Sequence, residues 1–141
     1  MQDTAADDMP EGFVIIDPDD PFEMYAGPFY ARTEGENRIY AFRVKPHHAN
    51  AGGAIHGGVL MSFADFALCA EAVRGTPGEV PITVSLTSDF TAPAEVGEIV
   101  TARIDTLRST RSFSFVRGEL SVGDRVVLGC NAVVKRLKPR D

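Results

Sequence analysis

The chain has 141 residues, of which 44% are hydrophobic and 24% are charged, and these proportions exclude collagen-like, coiled-coil and wholly disordered proteins. A chain of this length forms one domain and can bury roughly 70% of the surface that it exposes when unfolded, which is enough for a core without disulfides or metals. Its 14 basic and 20 acidic residues give a net charge of −6. This balance argues against a nucleic-acid-binding protein, because such a protein must neutralise phosphates.

The two cysteines, Cys69 and Cys130, lie far apart and form no CxxC pair, so we expect reduced, structural thiols in a cytosolic protein, with a reactive Cys69 as the alternative. The N-terminus lacks the basic and apolar regions of a secretory signal. The longest apolar stretch, around residues 59–73, contains a serine and acidic residues, which is wrong for a membrane span. The sequence therefore predicts a soluble, cytoplasmic protein that binds neither membranes nor nucleic acids.

The acidic N-terminal segment, residues 1–20, is expected to be a flexible arm, followed by a single domain over residues 21–141 that opens with a short helix near Pro21. Two strands of a hairpin are predicted on either side of the polar turn at residues 34–37, because aromatic and aliphatic residues flank this turn. The second strand ends before Pro46, and a loop rich in glycine and histidine follows.

The only long helix candidate spans about residues 55–74 and is ended by the breaker segment at residues 75–78. Its apolar residues lie on almost every side, which is typical of a helix buried on most of its surface. At 100° per residue, Ser62, Asp65 and Cys69 fall on one narrow strip of this helix.

Four further strands are predicted at about residues 82–87, 98–107, 112–121 and 125–136. In the first of them, Ile82, Val84 and Leu86 alternate with polar residues and predict one apolar face. A largely antiparallel sheet must cover its apolar face, and the long helix is the element available for this. The sequence thus predicts an α+β fold with a sheet of about six strands around one central helix.

His56, Gly57 and Gly58 lie where the loop becomes the helix. The first amides of a helix have no acceptor within it, and the positive end of the helix dipole lies behind them. Glycine lets a ligand approach this backbone closely. These amides can therefore polarise a carbonyl and stabilise an oxyanion, although the glycines could also serve only to make the turn.

Asp65 places a carboxylate in the middle of this nearly all-apolar helix. Such a charge is costly to bury unless it is paired or used, so Asp65 is a candidate general base or nucleophile, with a solvated or salt-bridged residue as the alternative. Gly57 and Asp65 are about 12 Å apart along one straight helix. Either they serve different purposes, or the carboxylate reaches the carbonyl from a second subunit across a two-fold axis.

The order Asn50, Gly53, His56-Gly57-Gly58 and Asp65 resembles the signature of hotdog-fold acyl-CoA thioesterases of the phenylacetic-acid-pathway (PaaI-like) group. The similarity continues into residues 83–87 and 92–98 and covers roughly residues 27–136. The resemblance implies a curved antiparallel sheet wrapped around one long helix, and dimers that often pair into tetramers. It also implies hydrolysis of acyl-CoA to a free acid and CoA without a metal or other cofactor.

The resemblance also implies roles for the residues of this motif. Gly57 would donate its amide to the thioester carbonyl, while Asp65 of the partner subunit would activate water or attack directly. Asn50 and His56 would shape the site and orient water or substrate.

Further contacts are implied outside the helix. The hydroxyl beside the attacking water would belong to Thr83, or to Ser85 if the register slips by one pleat. Gly58 would contact the substrate, and Arg108 and Arg111 would contact the CoA nucleotide or pantetheine. The basic C-terminal residues either contact phosphates or form a solvated charge run: Lys135, Arg136, Lys138 and Arg140.

Two other functions fit parts of this pattern. A hotdog dehydratase or hydratase usually pairs a helix carboxylate with a separate catalytic histidine, and the spacing from His56 to Asp65 fits a thioesterase better. A non-catalytic acyl-CoA binding module would not need Asp65. The carrier could be an acyl-carrier protein instead of CoA. The adjacent His47 and His48 are expected to be solvated, and no helical i, i+4 pair supports zinc, so no metal site is predicted.

Overall fold

The computed structural model describes residues 9–139. Two helices and six strands follow one another in this order: α1 (Pro21–Ala26), β1 (Tyr30–Glu34), β2 (Asn37–Arg43), α2 (Gly57–Ala72), β3 (Val80–Phe90), β4 (Ile99–Ser109), β5 (Phe113–Val122) and β6 (Arg125–Leu137). A single 3₁₀ turn at Pro46–His48 interrupts the loop between β2 and α2.

The six strands form one antiparallel sheet in the order β1-β2-β4-β5-β6-β3. The long helix α2 packs against one face of this sheet and contacts β3, β4, β5 and β6. This arrangement confirms the predicted α+β architecture of six strands and one central helix. No helix within residues 9–139 combines the length and the apolar content needed to cross a membrane.

The core lies between α2 and the sheet. Leu60, Phe63, Ala64, Ala67 and Leu68 are almost completely buried on the sheet side of the helix, and each large apolar side chain of this kind stabilises the fold by about 1.5–3 kcal/mol. The helix is shorter than the predicted 55–74. It begins at Gly57 because His56 caps it, and it ends at Ala72 because Val73 leaves the helical conformation.

Strand β3 differs from its prediction in which residues face the helix. A bulge between Thr83 and Ser85 shifts the register of β3 against β6, so Thr83 and Leu86 both point toward α2 although three positions separate them. Ile82 and Val84 are 46% and 57% exposed. The expected apolar face of Ile82, Val84 and Leu86 is therefore wrong, because simple alternation does not anticipate the extra residue.

The N-terminal segment is described from residue 9 onward, and residues 1–8 of the expected arm lie outside the described residues. Val14 pairs with Ala31 of β1 through two backbone hydrogen bonds of 2.8 and 2.9 Å. The segment thereby covers the outer edge of β1. Helix α1 begins at Pro21, as predicted, and the side chain of Asp20 caps it by accepting a hydrogen bond from the Glu23 amide.

Candidate active site

The start of α2 presents one free amide. The Nδ1 atom of His56 accepts a hydrogen bond from the Gly58 N–H over 2.9 Å, and the Val59 N–H reaches the His56 carbonyl over 3.0 Å. No hydrogen bond among residues 9–139 uses the Gly57 N–H. Because the dipole of a 16-residue helix places partial positive charge here, the Gly57 amide is available to polarise a ligand oxygen, whereas the Gly58 amide is occupied by His56.

Neighbouring side chains leave little space for a Cβ at either Gly57 or Gly58. A Cβ on Gly58 would lie 3.1 Å from His56 Nδ1, against the atom that caps the helix. A Cβ on Gly57 would lie 3.2 Å from the ring of Phe90 on β3. The residues His56, Gly57 and Gly58 therefore form a tight helix start, and Phe90 marks its position along β3.

Asn50 organises the loop that leads into the helix. Its side-chain oxygen accepts a hydrogen bond from the Gly52 N–H over 2.8 Å, and its carbonyl accepts one from the Gly53 N–H over 3.0 Å. Gly53 has a φ of +92°, a conformation that side-chain-bearing residues rarely adopt. Asn50 is exposed, so the described contacts give it a role in shaping the turn.

His48 is a residue of this site that sequence reasoning missed. It is 2% exposed, contrary to the expectation of a solvated loop histidine. Its Nδ1 accepts a hydrogen bond from the Lys45 N–H, so Nε2 carries the proton and donates to the Ala26 carbonyl over 2.7 Å. Its own carbonyl accepts from the His56 N–H over 2.8 Å. His48 thus ties the end of α1 to the start of α2.

Asp65 is held by a residue of β3. The hydroxyl of Thr83 donates to Asp65 Oδ1 over 2.6 Å, a short distance typical of a hydrogen bond to a charged carboxylate. Asp65 is half-buried and lines a cavity of about 480 Å³ whose walls also include Phe22, Met61, Ser62, Phe66 and Leu86. The cavity is lined on one part by four apolar side chains and on the rest by two hydroxyl and three carboxyl groups, of which Asp65 is one.

The thiol of Cys69 lies one helical turn from Asp65. Burial, the largest effect, raises the pKa of Cys69 to about 12. The nucleophilic form of cysteine is the thiolate, so this thiol does not act as a nucleophile near neutral pH. The alternative of a reactive Cys69 therefore finds no support in its surroundings.

The carboxyl group of Glu23, on α1, faces the same cavity. Glu23 of α1 lines it together with Asp65, and the oxygens of Glu23, Asp17 and Asp20 lie within 4.8 Å of one another. Burial, followed by the charges of Asp20, Asp17 and Asp65, raises the pKa of Glu23 to about 7. The pocket therefore holds one acid that is partly protonated at neutral pH.

The structure separates the other predicted residues from Asp65. Ser85 pairs with Val133, which lies between the buried Ala132 and Val134, so Ser85 is exposed on the sheet face opposite α2. Arg108 is exposed on the same outer face, because it pairs with Phe115 on β5.

Arg111 is exposed in the turn between β4 and β5. Within one chain the structure thus brings Thr83, and neither Ser85 nor Arg108, to the carboxylate.

Arg136 is not part of a solvated basic tail. It is 6% exposed, pairs with Glu79 over 2.9 Å, and donates to the carbonyls of Phe113 and Thr110 over 2.8 and 2.5 Å. Arg136 therefore ties the β4–β5 turn to β6. Lys135 and Lys138 are exposed, and Arg140 lies outside the described residues.

Comparisons with known proteins place this chain in a family. The family model described as an acyl-CoA thioesterase N-terminal domain matches residues 45–134. A candidate esterase of Pseudomonas aeruginosa is 34% identical over 129 residues, which cover 89% of this chain and 95% of that protein.

Solved structures share the fold. A variant of the phenylacetic acid degradation protein PaaI from Thermus thermophilus has a TM-score of 0.70 and 26% identity, over 84% of this chain and 100% of that chain. A hypothetical thioesterase from Streptococcus pneumoniae with coenzyme A has a TM-score of 0.70 and 13% identity, over 80% of this chain and 91% of that chain.

The family match spans the loop, the helix start, the helix carboxylate and the strand that holds it. It thus contains both the free Gly57 amide and the Asp65–Thr83 pair. The chain belongs to the acyl-CoA thioesterase family, has its hotdog fold, and is a thioester hydrolase.

Proposed function

We propose that this protein hydrolyses acyl-CoA thioesters to a free acid and CoA in a site built from two protomers. The observation that carries the proposal is a combination of two groups on α2. The Gly57 amide at the start of the helix is free, and further along the helix the Asp65 carboxylate accepts a hydrogen bond from Thr83 of β3. The two groups are about 12 Å apart along the helix axis. A single thioester can use both only if a second copy supplies one of them.

The free edge of the sheet supports a two-protomer site. In the described chain β3 pairs on one side only, with β6, and its 11 residues leave the other side open. An exposed edge of this length is a template for pairing with another strand. Several apolar side chains of β3 are also about half exposed, namely Val80, Ile82, Val84 and Phe90.

Pairing of two copies along β3 would bring the Gly57 amide of one protomer close to the Asp65 carboxylate of the other. Asp65 lies beside Thr83 and Gly57 lies beside Phe90, so the two ends of β3 mark the two groups. Antiparallel pairing of two copies about Ser85 or Leu86 would place the partner's Thr83 opposite residues 87–89, about 5 Å away across the strand gap. The partner's Asp65 would then lie beside the helix start that carries Gly57.

The chemistry follows from these two groups. The Gly57 N–H donates to the thioester oxygen and stabilises the negative charge that develops on it. The partner's Asp65 takes a proton from water while the water oxygen attacks the carbonyl carbon. The carbon–sulfur bond then breaks, and the leaving CoA sulfur takes up the proton. These steps use no metal and no cofactor.

Direct attack by Asp65 is the second route. An oxygen of Asp65 would bond to the acyl carbon and expel the CoA thiolate, which forms a mixed anhydride. In a single turnover in H₂¹⁸O, water that attacks the aspartyl carbon of this anhydride places ¹⁸O in Asp65 and leaves the unlabelled bridging oxygen in the product, so an unlabelled first product identifies the nucleophilic route.

Thioester hydrolysis itself is tested by thiol release from a panel of acyl-CoAs. We expect turnover by the wild-type protein and loss of at least 100-fold in kcat for Asp65→Asn, with the dimer intact by light scattering. Absence of thiol release, or formation of an enoyl or hydroxyacyl product, would refute the thioesterase proposal and favour acyl-CoA binding or dehydration, respectively.

The CoA contacts of Arg108 and Arg111 are part of the proposal and have their own test. Each Arg→Ala variant should raise KM for acyl-CoA but not for the matching acyl-pantetheine, which lacks the nucleotide phosphates. An equal rise for both substrates would argue against phosphate recognition by these side chains.

A further inference from the structure

Three side-chain atoms meet on the sheet side of the proposed catalytic carboxylate. Thr83 Oγ1 lies 2.6 Å from Asp65 Oδ1, and Cys69 Sγ lies 3.1 Å from Thr83 Oγ1. Cys69 Sγ also lies within hydrogen-bond distance of Asp65 Oδ1, at 3.7 Å. Cys69 follows Asp65 by one helical turn, so the rigid backbone of α2 fixes the spacing of the two.

The protons of this cluster can be counted. An ionised carboxylate only accepts hydrogen bonds, so the single hydroxyl proton of Thr83 goes to Asp65. The Thr83 oxygen can then only accept, and the remaining donor within reach is the Cys69 S–H. The thiol lies closer to Thr83 Oγ1 than to Asp65 Oδ1, 3.1 against 3.7 Å, which favours hydrogen bonds that run from Cys69 to Thr83 to Asp65. Burial keeps the thiol protonated, because it raises the pKa of Cys69 to about 12.

We infer that Cys69 is a positioning residue for thioester hydrolysis, which holds the Thr83 hydroxyl in the direction that fixes Asp65. The inference rests on the proposed role of Asp65. The thiol donates its proton to Thr83 and polarises the hydroxyl, which strengthens the hydrogen bond to the carboxylate. With Oδ1 held in this way, Oδ2 of Asp65 is left to face water or substrate in the cavity.

The charged groups around Asp65 are unchanged by substitutions at Cys69. Helix α1 and its cap present Glu23 and Asp20 to the cavity, and α2 presents Cys69 itself. From β3 the facing residues are the uncharged Thr83 and Leu86. A change in the pH dependence of a Cys69 variant therefore reports on the hydrogen bonds to Asp65.

The test compares Cys69→Ala, Cys69→Ser and Cys130→Ala by steady-state hydrolysis of one acyl-CoA from pH 4 to 9. Loss of one neutral hydrogen bond corresponds to a roughly 2- to 10-fold lower kcat in Cys69→Ala, with KM unchanged. The acid limb of its pH–rate profile should move to higher pH, because the Thr83 hydroxyl then makes a weaker hydrogen bond to the carboxylate and stabilises its charged form less.

The two other variants are the matched controls. Cys69→Ser keeps a donor and should recover most of the lost kcat and return the acid limb toward its original position. Cys130→Ala removes the other buried thiol, whose described hydrogen bond goes to the Gly118 carbonyl on a neighbouring strand, and should leave the pH profile unchanged. An unshifted acid limb in Cys69→Ala, or equal losses in the Ala and Ser variants, would overturn the inference.

A double substitution tests whether Cys69 acts through Thr83. In a Thr83→Val background, Cys69→Ala should change kcat by less than about twofold, because the hydroxyl that relays its effect is absent. A full additional loss would mean that Cys69 acts by another route. The Asp65→Asn variant separates the two proposals. If Asp65→Asn keeps full activity, the proposed function fails. If Asp65→Asn is inactive while Cys69→Ala keeps full activity, only the positioning role of Cys69 fails.

Discussion

Replacement of Gly57 by proline removes the proposed oxyanion donor without changing the helix. Proline lacks an N–H and is well tolerated at the first position of a helix. The preceding residue, His56, already has φ −69° and ψ 132°, which is the extended conformation that proline demands of its neighbour. The lost N–H has no acceptor among the described residues, so the fold loses no hydrogen bond of its own.

The expected loss of activity is large. Removal of one oxyanion donor costs about 2.7–4 kcal/mol of transition-state stabilisation, or roughly a 100- to 1000-fold drop in kcat. The new side-chain atoms would approach Phe90, because a Cβ at position 57 lies 3.2 Å from its ring. The Gly57→Ala variant brings the same Cβ toward Phe90, so a comparison of the two variants removes this contribution.

Gly57→Ala is the matched control, since it adds the same Cβ but keeps the N–H. We expect it to lower kcat by less than about 10-fold, and we expect both variants to unfold within about 1 kcal/mol of wild type. Thiol release under saturating acyl-CoA measures kcat, and chemical denaturation measures stability. If the proline and alanine variants lose equal activity, the Gly57 amide is not the oxyanion donor.

Mixed dimers extend this test to the origin of the carboxylate. A dimer of one Gly57→Pro chain and one Asp65→Asn chain retains one site with a native amide and a native acid only if the two groups come from different protomers. Random association makes half of the dimers mixed, so co-expression should restore about a quarter of wild-type activity from two inactive proteins. No recovery from a mixture that demonstrably forms mixed dimers would refute the shared site.

Three further predictions concern stability. Between pH 4.5 and about 7 the folded chain keeps a proton on Glu23 that the unfolded chain loses, so the free energy of unfolding falls as pH rises through this window. Glu23→Gln should therefore raise the free energy of unfolding by about 1 kcal/mol at pH 8, a value reduced for partial exposure, and leave it unchanged at pH 4. Chemical denaturation measures both values, and an equal gain at the two pH values would contradict this prediction. Burial lowers the pKa of His48 below 6.5, so its stabilising contribution is present at higher pH and declines as pH falls below 6.5; thermal denaturation should show His48→Gln least stable relative to wild type at pH 8, with a smaller gap at pH 5, and a constant gap would count against it. Arg136→Ala leaves the carbonyls of the β4–β5 turn without their donor and should lower the free energy of unfolding by about 3 kcal/mol without changing KM for acyl-CoA, whereas a KM effect with full stability would return Arg136 to the substrate.

Much of the site is visible in the sequence because its parts are local. Glycines at a helix start, and a carboxylate within an apolar helix, can each be recognised from a few neighbouring residues. Asp65, Gly57 and His56 therefore stand out from the amino-acid order alone. The contact of Thr83 with Asp65 does not, because the choice between Thr83 and Ser85 depends on a bulge that alternation does not reveal.

Other features depend on chain segments that are distant in sequence. In the sequence, His48 is one of two adjacent loop histidines, and nothing nearby indicates that it is buried. Packing against the end of α1 buries it and gives its ring two hydrogen-bond partners. Arg136 reads as one member of a basic tail, and only the pairing of β5 and β6 places it under the β4–β5 turn. Neither partner set has a periodicity or spacing that a single sequence displays.

The sequence by itself established one antiparallel sheet, one buried helix, a glycine-rich helix start and an acid two turns further on, because backbone conformation and amphipathic pattern are encoded over short windows. Tertiary packing decided which hydroxyl holds that acid, which thiol lies behind the hydroxyl, and which edge of the sheet stays open. These depend on strand register, where one extra residue in β3 exchanges the faces of every side chain beyond it.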